Sequence, residues 1–210
     1  MTDSANSETL QAYESRADVY RDTMRPPQTG WFRDFLERIV AALPPGARVL
    51  EIGSGTGANA RLLAGMGLEL QPSDATRAFV EMMAADGVDA AELNALTDDL
   101  GGPWAAVVAF AVFLHFSPDE LAAVLAKARH GIRAGGVLAF TVKEGDGSGW
   151  SEHKLGRPRH FTYWRAGPLR EFLEVHGWRV ESLDREQGLA DGWLLVIARP
   201  ATAASAIVRE

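Results

Sequence analysis

Val49-Leu50-Glu51-Ile52-Gly53-Ser54-Gly55-Thr56-Gly57 carries a short apolar strand straight into a turn with three alternating glycines, and a helix opens at Ala58. Glycine is needed where the backbone takes positive φ or where a ligand must approach the main chain closely. The helix beyond supplies free N–H groups and a partial positive charge. Such a turn accommodates a nucleotide-like ligand against bare backbone. About one strand–helix unit further on stands Asp74, at the end of the second strand. A carboxylate there accepts hydrogen bonds from both ribose hydroxyls of an adenosine group. The plainer alternative is that the glycines only make a tight turn and Asp74 caps the next helix. A sharper rival is a nicotinamide or flavin site, because Gly53, Gly55 and Ala58 also satisfy G-x-G-x-x-A. Against it stand the third glycine at Gly57, the acid Glu51 inside the strand, and too little remaining chain for a second nucleotide half plus a substrate domain.

Outward from this turn the chain alternates strands and helices. Strands are expected at Arg48–Ile52, Gly67–Gln71, Asp89–Leu93, Ala105–Phe110 and Val137–Val142, with helices at Ala58–Ala64 and Thr76–Ala85 between them. Ser117 and Glu120 form a capping box that opens a helix running to about Arg133, and Gly135-Gly136 should stop it. Residues 144–160 are rich in glycine and charge and read as a long loop. A helix over Pro168–His176 precedes two last strands, Trp178–Leu183 and Trp193–Ala198, whose short connection suits an antiparallel hairpin. Upstream, one helix is expected over Thr9–Met24, with Tyr13, Ala17 and Tyr20 on one stripe and Pro26-Pro27 ending it. A second, Trp31–Ala42, has an apolar face of Trp31, Phe35, Leu36, Ile39 and Val40. Alternating βα units imply an α/β fold with a mostly parallel sheet flanked by helices on both faces.

The 210 residues suffice for one sizeable domain, with residues 1–45 as N-terminal cover helices and 46–200 as the core. An apolar fraction of 47% supports a large buried core, and the net charge of −7 weighs against bare nucleic acid as a partner. The absence of cysteine excludes disulfides, thiolate zinc sites and a cysteine nucleophile. The first twenty residues are polar and do not resemble a signal peptide, and no apolar run approaches the ~20 residues of a spanning helix. A cytoplasmic protein without membrane contact is the expectation.

These residues resemble class I S-adenosylmethionine-dependent methyltransferases, a Rossmann-like family, over about Tyr13 to Ala198. Glu51, Gly53, Gly55 and Gly57 look like its first motif, E-x-G-x-G-x-G, and Asp74-Ala75-Thr76 is similar to its acid-containing second motif, with threonine for serine. Asn94-Ala95-Leu96 falls where the adenine-binding acid or amide usually lies, Phe110–His115 matches the segment after strand four, and Arg133–Gly136 resembles the turn before strand five. The resemblance implies a three-layer sandwich on a seven-stranded sheet with an antiparallel C-terminal hairpin strand. It also implies S-adenosylmethionine as cofactor. Gly53, Ser54, Gly55 and Gly57 would line its methionine part, with Glu51 orienting groups at the loop. Asp74, with Ala75 beside it, would hold the ribose, and Asn94, Ala95 and Leu96 would meet the adenine. Phe110 would lie beneath the methionine arm, and Tyr13 and Tyr20 would close over the cofactor or simply pack in the core.

For the chemistry, His115 is the first candidate for a general base, because it follows strand four at the carboxyl edge of the sheet and its ordinary pKa suits proton removal near neutrality. A structural histidine anchoring the loop is the alternative. No metal is required, and the five histidines show no ligand spacing. The stretch Lys154–Arg165, following Lys143, is the most basic of the chain and is studded with aromatics. Arg157 or Arg159 is expected to pair with a carboxylate or phosphate on a small-molecule substrate, with Lys143 nearby and Tyr163 and Trp164 as walls. A solvated loop and a short nucleic-acid patch are the other readings of that stretch. A non-catalytic cofactor-binding protein remains the rival to the enzyme.

Overall fold

The computed structural model describes residues 5–23 and 30–202. Two N-terminal helices, α1 (Ala5–Glu14) and α2 (Ala17–Thr23), precede α3 (Trp31–Ala41). Then come β1 (Arg48–Ile52), α4 (Ala58–Gly65), β2 (Glu69–Asp74), α5 (Arg77–Ala85), β3 (Ala91–Glu92) and β4 (Trp104–Phe110). A single 3₁₀ turn at Phe113–His115 leads to α6 (Pro118–Gly131) and β5 (Ile132–Lys143), followed by β6 (Ser148–Ser151) and β7 (Arg159–Thr162). The chain closes with α7 (Ala166–Val175), β8 (Trp178–Gln187) and β9 (Gly192–Pro200).

Seven strands form one sheet in the order β3-β2-β1-β4-β5-β9-β8. The β1–β2, β2–β3, β1–β4 and β4–β5 pairs are parallel, whereas β9 runs antiparallel to both β5 and β8. The expected α/β fold with its antiparallel C-terminal strand is therefore present. Every residue of β4 is buried, as a central strand covered on both faces requires. Its pleat deals Ala106 and Val108 to one face and Val107 and Ala109 to the other. On the first face α3 supplies Phe32, Phe35, Leu36 and Ile39, a helical i, i+3, i+4, i+7 stripe. Burying each such side chain stabilises the fold by about 1.5–3 kcal/mol. On the second face α6 and α7 contribute Leu121, Val124, Leu125, Leu169 and Leu173. The capping box is formed: Glu120 N donates to Ser117 Oγ and Ser117 N to the Glu120 carboxylate.

Four local expectations change. The single helix over Thr9–Met24 is two, breaking at Ser15-Arg16, and Met24, Pro26 and Pro27 lie outside the described residues. The second strand begins and ends later, and includes Asp74. The sixth helix ends at Gly131 rather than at Gly135-Gly136. Pairing with β4 jumps from Trp104↔Ile132 to Ala106↔Val137, so residues 133–136 bulge out, with Gly135 at φ +73°. Residues 144–160 are not one loop, because β6 pairs antiparallel with β7 in a small separate sheet. Trp150 and His160 face each other across that hairpin, a pairing that its glycines and charges hide in the sequence.

Candidate active site

Sheet order reverses between β1 and β4: β2 and β3 are added on one side of β1, β4 and β5 on the other. Ligands in open α/β sheets sit at the carboxyl ends of the strands at such a point. A cleft enclosing about 680 Å³ of space, partly open to solvent, lies there.

The floor is the glycine turn. Gly53, Gly55 and Gly57 all take positive φ, at +69°, +55° and +73°. A Cβ on Gly53 would stand 2.4 Å from Val112 Cγ2, whereas one on Gly55 would meet only the Tyr20 ring, at 3.6 Å. Gly55 therefore keeps its side of the cleft open. Asp74 is pinned by two main-chain donors: Gly55 N reaches Oδ2 at 2.8 Å and Thr76 N reaches Oδ1 at 2.8 Å. Burial raises its pKa, and these two N–H bonds work against the rise. The carboxylate thus joins the glycine turn to the second strand and still faces the cleft with its remaining lone pairs.

Glu51 and Ser54 do not line the cleft. They lie beneath it in a buried network: Ser54 Oγ donates to Glu51 Oε2 at 2.7 Å, Ser73 Oγ to the Glu51 carbonyl at 2.7 Å, and Ser54 N to the Ser73 carbonyl at 2.8 Å. With Glu51 only 1% exposed, burial pushes its carboxyl up to about 7, opposed by the Ser54 bond. Gly57 likewise sits outside the lining, as the N-cap residue of α4.

One wall is Leu93, Asn94 and Ala95. Asn94 Oδ1 accepts from Leu96 N at 3.0 Å, and Asn94 N donates to Asp98 Oδ2 at 2.8 Å, so the turn leaves the side-chain amide nitrogen of Asn94 for a ligand. Leu96 packs behind, against the core. Lys127 on α6 holds this turn from outside, donating to the carbonyls of Ala95, Leu96 and Asp98 at 3.1, 2.7 and 3.0 Å. The opposite wall is Phe110, Ala111 and Val112, with Phe110 edge-on to Phe32 and Phe35. Ala111 has φ +57°, rare for a residue with a side chain, and its N–H donates to Thr141 Oγ1 at 2.9 Å.

The roof comes from α1 and α2, through Asn6, Thr9, Leu10, Tyr13 and Tyr20. Tyr13 and Tyr20 meet edge to face, and both rings lean on Phe79 of α5. Burial raises the pKa of each phenol. Tyr13 Oη lies 2.9 Å from His115 Nε2, and Arg159 Nη1 donates to it at 3.2 Å. His115 Nδ1 lies 2.6 Å from the His160 carbonyl. A carbonyl only accepts, so Nδ1 carries the proton, Nε2 is bare, and Tyr13 donates to it. Burial and, next among the lowering causes, the charge of Arg159 hold His115 at about 3, so the imidazole is neutral at ordinary pH.

The basic stretch lies beside this roof without lining the cleft. Lys143 pairs with Asp191 at 2.9 Å and sits 4.6 Å from the centre of the Phe161 ring. Arg159 is buried, Arg157 is exposed between β6 and β7, and Tyr163 stacks on Phe161 and against Gly145. Trp164 is in the core against Phe172. Of the expected site residues, Tyr13, Tyr20, Gly53, Gly55, Asp74, Ala75, Asn94, Ala95, Phe110 and His115 converge on the cleft. Sequence reasoning passed over Asn6, Thr9, Phe79, Ala111 and Lys127. Extending the Tyr13–Tyr20 stripe backward by helical spacing reaches Thr9 and Asn6; nothing local marks Ala111.

A family model described as a methyltransferase domain matches residues 25–183. Among solved structures, the DhpI–SAH complex has 24% identity and a TM-score of 0.76, covering 94% of this chain and 97% of that one. The 1,6-didemethyltoxoflavin-N1-methyltransferase of Burkholderia thailandensis has 18% identity and a TM-score of 0.73, over 94% of this chain and 87% of that one. Magnesium protoporphyrin IX methyltransferase from Synechocystis PCC 6803, with SAM bound, has 14% identity and a TM-score of 0.73, covering 96% and 99%. A comparison with curated proteins gives no sequence match. At these identities the solved structures share the fold with this chain.

Proposed function

The chain belongs to the methyltransferase domain family, and on that premise we propose that it transfers the methyl group of S-adenosylmethionine to a small-molecule acceptor with an acidic group. The observation that carries the proposal is Asp74, held by Gly55 N and Thr76 N at the lip of a glycine turn with three positive φ angles. That arrangement suits a ribose diol and leaves no side chain in the way of the atoms beyond it. The solved neighbours with SAM or SAH bound support the same ligand. Asn94 would meet the adenine, Tyr20 and Phe79 would cover the nucleoside, and Phe110 would back the methionine arm. Glu51 and Ser54 would shape the turn from below.

When bound, the cofactor supplies a sulfonium methyl that an acceptor nucleophile can attack in line. The protein's part is to align the two reactants, to keep water out beneath the α1–α2 roof, and to accept a proton where the acceptor carries one. Alignment alone can lower such a barrier by several kcal/mol. His115, whose Nε2 accepts from the Tyr13 hydroxyl, would receive that proton by way of Tyr13. Lys143, Arg157 and Arg159 bias the acceptor side toward anions, while Tyr163 and Trp164 steady the hairpin from behind.

The test is transfer of labelled methyl from S-adenosylmethionine to a panel of small carboxylates, phosphonates, phenols and amines. Incorporation into an acidic member, reduced about tenfold or more in Asp74→Ala through loss of ~1.4 kcal/mol or more of cofactor binding, is the expected result. Tight cofactor binding with no transfer to any member would favour a binding protein on the same fold. Transfer to the neutral members alone would remove the acidic acceptor.

A further inference from the structure

Arg159 is 6% exposed and pairs with no carboxylate among the described residues. Its Nη1 donates to Tyr13 and its Nη2 to the His153 carbonyl, but Nε is buried with no hydrogen-bond partner among the described residues. The guanidinium stands 5.5 Å from the Tyr13 ring centre and 5.2 Å from that of Phe161. Two further cations are close enough to feel it. Lys143 has Asp191 as its counter-ion, and Lys154, at φ +76°, is held below the usual lysine range by burial and by Lys143 and Arg159. The buried Arg159 thus adjoins the half-buried Lys143–Asp191 pair, with the exposed Lys154 at the rim. A buried guanidinium without a counter-ion favours an oxyanion that reaches it.

The same guanidinium is hydrogen-bonded to the phenol that covers His115. Polarity along the chain of bonds is fixed: Arg159 can only donate, so Tyr13 accepts from it and donates its own proton to the bare Nε2. A substrate in the cleft therefore meets Tyr13 and His115 together, since both line it. The groups facing His115 are Tyr13, Arg159, Lys143 and His160; those facing Tyr13 include Arg159, Tyr20 and Asp74. Burial, and after it the charges of Arg159 and Lys143, keep the imidazole from accepting a proton.

We propose that Arg159, with Lys154 and Lys143, is the receptor for the acidic group of the acceptor, and that its occupation makes the Tyr13–His115 pair the proton acceptor of the transfer. This rests on the methyl-transfer reading above and names its substrate class: a molecule bearing a carboxylate, phosphate or phosphonate as well as the nucleophile. The acceptor's X–H bond breaks as Tyr13 Oη takes the proton, and the phenolic proton passes to His115 Nε2. The electron pair left on X forms the bond to the methyl carbon, and the carbon–sulfur pair stays on sulfur. The positive charge lost by the sulfonium ends on His115, beside an Arg159 that the acceptor's anion has neutralised.

Nitrogen NMR of protein with ¹⁵N-labelled histidine tests this without knowing the acceptor. Inorganic phosphate and methylphosphonate serve as probes against chloride at equal ionic strength, with and without S-adenosylhomocysteine. Without oxyanion, His115 is expected as the Nδ1–H tautomer, uncharged above pH 5. Saturating probe should raise its midpoint by about 2 units, the effect of compensating a neighbouring charge. Arg159→Gln should abolish the rise and Arg159→Lys restore part of it, with circular dichroism confirming that both fold. A protonated Nε2, a rise that survives Arg159→Gln, or no rise at all would overturn the proposal. So would a rise produced by S-adenosylhomocysteine alone with nothing added by phosphate, because the oxyanion would then be the cofactor's carboxylate. Failure of S-adenosylhomocysteine to bind would strike the methyl-transfer reading instead, and the probe titration without it still decides the anion site.

Discussion

Gly53 and Glu51 show how much of the site is fixed residue by residue. Gly53→Ala adds a methyl at positive φ and drives it to 2.4 Å from Val112 Cγ2, whereas Gly67→Ala is equally left-handed, at φ +93°, but meets nothing within 4 Å. The first should lose about 2–4 kcal/mol in denaturant unfolding and the second only the ~1 kcal/mol of backbone strain. Equal losses would mean that the close approach to Val112 has no weight. Glu51 has a folded pKa of about 7 against 4.5 in the unfolded chain. Between those values the folded state binds more protons, so its contribution to stability is present below pH 4.5 and fades as pH rises to 7. The loss amounts to about 3 kcal/mol, and Glu51→Gln should flatten it. Thermal midpoints of the two proteins from pH 4.5 to 7.5 would converge at the acid end. Both residues were legible in the sequence, because an acid two positions before three alternating glycines is a local pattern. The pairing of His115 with Tyr13 was not, since 102 residues separate them.

At the level of elements, the turn at Asn94 depends on a helix that does not touch the cleft. Lys127 of α6 donates to three carbonyls of residues 95–98. Lys127→Met leaves those carbonyls unpartnered and frees the turn that presents Asn94. S-adenosylhomocysteine affinity should fall about tenfold, equivalent to ~1.4 kcal/mol, with the unfolding of α6 unaltered. Unchanged affinity would show that the turn holds itself through the Asn94 and Asp98 bonds. Loss of the Ser117 cap is a contrasting case: Ser117→Ala should cost about 1 kcal/mol of stability and leave affinity alone. Helices and buried strands could be read from periodicity and caps. The β6–β7 hairpin could not, because glycine and charge dominate its sequence while its pairing partners, Trp150 and His160, are ten residues apart. The break between α1 and α2 carries no proline or glycine, and only the docking of α1 on β7, where His160 N donates to Thr9 Oγ1 at 3.0 Å, makes sense of it.

Across the whole molecule, the order β3-β2-β1-β4-β5-β9-β8 brings the ends of β1 and β4 together and leaves a cleft between the glycine turn and the α1–α2 roof. The succession of strands and helices made the parallel sheet and its antiparallel last strand readable in advance. The resemblance put Tyr13 and Tyr20 over the glycines, but the seating of α1 on β7 was not readable, since Thr9 and His160 are 151 residues apart. The central claim is that this cleft fits an adenosyl sulfonium and not a dinucleotide. Calorimetric titration with S-adenosylhomocysteine and, separately, with NAD decides it. The account predicts a one-to-one isotherm for S-adenosylhomocysteine that is weakened in Asp74→Ala, and no heat of binding for NAD. Binding of NAD with none of S-adenosylhomocysteine would contradict it.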